Sequence, residues 1–64
     1  MLEFTDANIK INNVSDYAWD YKYIVARKCD GEYWFWGAYN EFDRALYAAE
    51  EEGGQIFPID KVAR

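Results

Sequence analysis

The side chains that most often carry covalent or acid–base chemistry are scarce in this sequence. There is one cysteine, Cys29, one serine, Ser15, one threonine, Thr5, and no histidine. A hydroxyl or thiol nucleophile needs a base or an electropositive setting to release its proton. With no imidazole, Ser15 reads as a helix cap and Thr5 as a residue of an N-terminal arm. Cys29 abuts Asp30-Gly31, and its neighbour Lys28 is expected on the opposite side of the strand, so Cys29 reads as a strand-end thiol. A Cys/His zinc site and an intrachain disulfide both need residues the chain does not have.

The carboxylates show no calcium-loop spacing, which requires alternating ligands around a central glycine. Asp16, Asp20, Glu41, Asp43, Glu50, Glu51 and Glu52 are predicted to form an acidic surface. Gly53-Gly54 follows a helical pattern and precedes an apolar run. A phosphate-cradling loop has the reverse order, strand to helix N-terminus, so this pair is expected to end the helix. No catalytic residue, cofactor site or metal site is predicted.

The informative side chains are aromatic. Three Trp, six Tyr and four Phe make up 20% of 64 residues. A domain this short buries only about 60% of its unfolded surface. Each buried ring removes roughly 150–250 Å² from water, so a few rings can stabilise a small core.

These residues are placed by a hairpin. Tyr21 to Cys29 is rich in β-formers, Asp30-Gly31 is a two-residue type I′ signal, and Glu32 to Ala38 returns. The turn sets a register in which Cys29 faces Glu32, Arg27 faces Trp34, Ala26 faces Phe35 and Val25 faces Trp36. Alternation then puts Ile24, Ala26, Tyr33, Phe35 and Gly37 on one face, and Tyr21, Tyr23, Val25, Arg27, Trp34 and Trp36 on the other.

A helix is predicted over about 41–52, capped by Asn40, with Phe42, Ala45, Leu46 and Ala49 forming its apolar stripe. Gln55 to Asp60 reads as a short strand that Pro58 confines to an edge. Asn8 to Asn12 alternates like a strand, Asn12-Asn13 suits a turn, and Ser15 suits the start of a helical turn over Asp16 to Trp19. The predicted fold is α+β: residues 1–64 form one domain, a small antiparallel sheet with one helix on one face. Residues 1–20 supply an arm or a further strand. The flatter face, with Ile24, Ala26 and Phe35, is expected under the Ala-rich helix, with Phe42, Leu46, Ala49 and Ile56 completing that core. Leu2, Phe4, Ile9, Ile11 or Val14 are expected to cover part of the Trp34/Trp36 face.

The formal net charge of −5 disfavours a general phosphate-backbone binder. No apolar run is long enough to span a membrane, and the N-terminus is acidic where a signal peptide is basic. A lone thiol then suggests a reducing cytoplasm.

Three function classes follow. The first is a small acidic, non-catalytic protein-binding domain, of the kind found among phage and mobile-element accessory products. Its acidic, aromatic surface would inhibit a nucleic-acid-handling or defence enzyme. The second is a homodimeric structural or regulatory module, joined through Tyr23, Val25, Arg27, Trp34 and Trp36. The third is a weak single-stranded nucleic-acid binder, stacking bases on the same residues.

Overall fold

The structure, a computed structural model, describes residues 9–63. The expectations for Leu2, Phe4 and Thr5 fall outside these residues. Four strands and one α-helix form a small α+β fold: β1 (Ile11–Asn12), β2 (Tyr23–Cys29), β3 (Glu32–Tyr39), α1 (Phe42–Glu52) and β4 (Gln55–Pro58). Short 3-10 helices span Asp16–Asp20 and Ile59–Lys61. The sheet order is β1-β3-β2-β4. The β2/β3 and β2/β4 pairs are antiparallel, and β1 joins β3 in parallel, making the sheet mixed.

The hairpin forms where its turn chemistry places it. Asp30 and Gly31 both have positive φ, 53° and 83°, as a type I′ turn requires. The register runs as expected through Cys29↔Glu32, Arg27↔Trp34 and Ala26↔Phe35. There it departs from the sequence reading, because Val25 pairs with Gly37 and not with Trp36. Trp36 is the extra residue of a β-bulge, and alternation beyond it shifts by one. Gly37 and Tyr39 therefore lie on the Val25 side, and Ala38 on the Ile24 side.

The helix also sits on the Val25 side, which corrects the expected face. One core joins Val25, Ala45, Ala49 and Ile56, flanked by Tyr23, Tyr39 and Ala48. The second, on the opposite face, joins Ile24 and Ala26 with Ile11, Ala18, Phe57 and Val62, with Phe35, Tyr33 and Trp19 packed around them. Ile9, Ile11 and Val14 belong to this second core, so they cover the Ile24 face and not the Trp34/Trp36 face.

Two physical causes account for the choice. The sheet curls about the Ile24 face, and an isolated bridge between Ile9 and Val62 draws its margins together. The N–H of Ala63 donates to the Ile9 carbonyl at 2.8 Å and helps hold that closure. The first 3-10 helix, with Ala18 wholly buried, fills the mouth of the curl. In addition, β3 and β4 are parallel with β2 between them, so β3-α1-β4 is a crossover unit. Such crossovers are right-handed in nearly all cases. Topology, and not the flatness of a face, selects the side the helix covers.

The helix ends near its predicted bounds but is seated differently. Its N-cap is Glu41 and not Asn40, with no side-chain cap hydrogen bond. Ala45 and Ala49 are buried, whereas Phe42 and Leu46, expected in the core, are 49% and 40% exposed. Alanines at the centre of the contact let α1 lie close to the sheet, and the larger side chains fall to its margins. Phe42 meets Tyr23 edge-on at 5.7 Å. Gly53, with φ 65°, ends the helix, and the N–H of Gly54 returns to the Ala49 carbonyl at 2.8 Å. β4 is an edge strand, as Pro58 requires.

Candidate docking groove

The helix covers the β2 and β4 part of its face and leaves β3 partly open. Between α1 and β3 runs a groove of about 720 Å³. Trp36 and Tyr39 line its β3 side, and Arg44, Tyr47, Ala48 and Glu51 line its helix side. Glu41, Asp43 and Glu52 also border it.

The bulge builds this site. By adding one residue to β3, it turns the Trp36 side chain toward the helix while Gly37 fills the regular position against Val25. Gly37 is needed there for space. A Cβ at this position would lie 3.0 Å from the Tyr39 hydroxyl oxygen and 3.2 Å from the ring. The Tyr39 ring thus lies over a backbone without a side chain, next to Trp36.

On the helix, Arg44, Tyr47, Ala48 and Glu51 recur at i, i+3, i+4 and i+7, one stripe beside the buried Ala45/Ala49 line. Tyr47 is 69% exposed. Arg44 Nε donates to Glu41 Oε2 at 3.3 Å, an exposed pair contributing about 0–1 kcal/mol. Four carboxylates therefore share the groove with one guanidinium, which is already paired.

Trp34 and Trp36 are 45% and 47% exposed. The Arg27 guanidinium carbon stands 5.6 Å from the Trp36 ring centroid. At an exposed site this cation–π contact contributes roughly 0.5–1 kcal/mol. Arg27, Trp34 and Trp36 also border a smaller hollow of about 270 Å³ with Lys28, Cys29 and Phe35. Trp36 is common to both hollows.

No protein-family model, curated protein or solved structure matches this chain. The site is therefore read from its own geometry.

Among the residues expected to bind a partner, the structure brings Arg27, Trp34 and Trp36 together on one exposed surface. Val25 is fully buried beneath the helix and is not part of it. Tyr23 is half-buried against Phe42. The acidic set divides. Glu41, Asp43, Glu51 and Glu52 border the groove, and Glu50 is exposed elsewhere on α1. Asp16 and Asp20 lie on the 3-10 helix of the opposite face.

Tyr39, Arg44, Tyr47 and Ala48 were not expected at the site. Tyr47 and Ala48 carried a legible signal, the 44-47-48-51 stripe. Tyr39 required knowledge of the bulge. Among the described residues, no group of three Cys, Asp or Glu side chains converges as metal ligands, and no helix is long and apolar enough to cross a membrane.

Proposed function

We propose that this domain is a non-catalytic protein-binding module whose working surface is the groove between α1 and β3. Its partner is a protein that presents a basic surface, as nucleic-acid-handling enzymes do, and occupation of that surface inhibits it. The observation that carries this reading is that exposed aromatic rings share one groove with four carboxylates and a single guanidinium. Half-exposed Trp and Tyr are the residues most often found as binding anchors. Carboxylates around them favour lysine and arginine by charge and admit cation–π contact with the rings. The same carboxylates repel phosphate, which disfavours a single-stranded nucleic acid in the groove.

The test is a comparison of immobilised wild-type domain with Trp36→Ala and with Glu51→Gln/Glu52→Gln, each challenged with soluble cell extract. The reading expects basic proteins retained by wild type, released by salt, and lost from both variants. Retention unchanged by the variants, or unaffected by salt, refutes it.

A further inference from the structure

Among the described residues, β3 pairs on its outer side with β1, through Tyr33 and Trp34. Asn13, with φ 64°, then turns the chain away into the 3-10 helix. Among the described residues, no strand pairs with the outer edge of β3 from Phe35 to Tyr39. The backbone groups on that side are those with which an added strand would form hydrogen bonds. This length of edge lies alongside the groove, because Trp36 and Tyr39 belong to both.

We infer that the groove takes an extended, lysine- or arginine-bearing segment of a partner protein, added as a fifth strand along β3 from Phe35 to Tyr39. This rests on the proposed function above and adds the conformation of the ligand and its mode of attachment. An extended chain on this edge gains main-chain hydrogen bonds to β3. Its alternate side chains then point over the helix face, toward Trp36, Tyr39 and Tyr47. Their charged ends reach Glu51 and Glu52 on the facing helix. A helical ligand would leave the β3 edge unpaired, so the edge and the groove together favour a strand. A second copy of this chain is disfavoured as occupant, because it would bring its own excess of carboxylates to an acidic groove.

The test uses the full chain and three short capped peptides. The first alternates lysine and valine. The second has the same sequence with the backbone N-methylated at every second residue, on the edge that would face β3. The third alternates glutamate and valine. Binding is followed by tryptophan fluorescence and by amide shifts and hydrogen exchange of Phe35 to Tyr39. The expected result is binding of the first peptide, with slowed exchange at β3 amides, and at least about tenfold weaker binding of the second. The glutamate peptide is expected not to bind. Equal binding of the two lysine peptides, without protection of β3, overturns strand addition and leaves the basic-partner reading standing. Failure of both lysine peptides to bind counts against both. Protection of the β3 amides that grows with protein concentration and needs no peptide assigns the edge to a second copy and overturns the proposal.

Discussion

Gly54 shows how closely this small molecule is packed at individual positions. A Cβ there would stand 2.7 Å from the Ala26 carbonyl oxygen, a backbone atom that cannot swing aside. Gly54→Ala is expected to lower stability by about 1–3 kcal/mol, as overpacking does, measured as a reduced urea midpoint with unchanged slope. Trp36 is the opposite case. Its ring is nearly half exposed, and the Arg27 guanidinium stands over it. Trp36→Ala is expected to change stability by about 1 kcal/mol or less while abolishing retention of basic proteins. A loss of several kcal/mol in the same urea titration would make Trp36 a core residue and remove it from the site.

At the scale of elements, the turn, the hairpin, the helix and the edge strand were legible from local chemistry. Asp30-Gly31 specified the turn, Gly53-Gly54 the helix end, and Pro58 the edge. The bulge was not read from Trp34-Phe35-Trp36-Gly37, because a glycine inside a strand signals either a bulge or a close approach and does not say where the added residue falls. That single residue inverted the assignment of Gly37 and hid the place of Tyr39. The face chosen by the helix was illegible for another reason. It depends on strand order and on the curl, which are long-range properties, while alternation reports only that two apolar faces exist.

The corrected seating makes an ordered prediction. Ala45 is fully buried, so Ala45→Leu is expected to cost about 1–3 kcal/mol. Leu46→Ala, at a margin 40% exposed, is expected to cost less than the roughly 2–5 kcal/mol typical of a buried leucine. Thermal or urea unfolding of the pair checks this, and the reverse order would restore the seating suggested by periodicity alone.

For the whole molecule, charge and aromatic surface act on different aspects of binding. A net charge of −5 draws a basic partner in from a distance and is screened by salt over a Debye length of about 10 Å at 0.1 M. The rings hold the partner once it is seated. Affinity for a basic partner is therefore expected to fall between low and physiological salt mainly through the association rate, read by stopped-flow fluorescence. The free domain is expected to sediment as a monomer at tens of micromolar, since like charges oppose self-association. A dimer dissociated by Trp36→Ala would transfer the same surface to a homomeric role.

The bridge between Ile9 and Val62 has a consequence for the connectivity of the fold. It makes the first and last described segments, far apart in sequence, direct neighbours. The amides of Ile9 and Ala63, each bonded to the other segment, are therefore expected to lose hydrogen-exchange protection together.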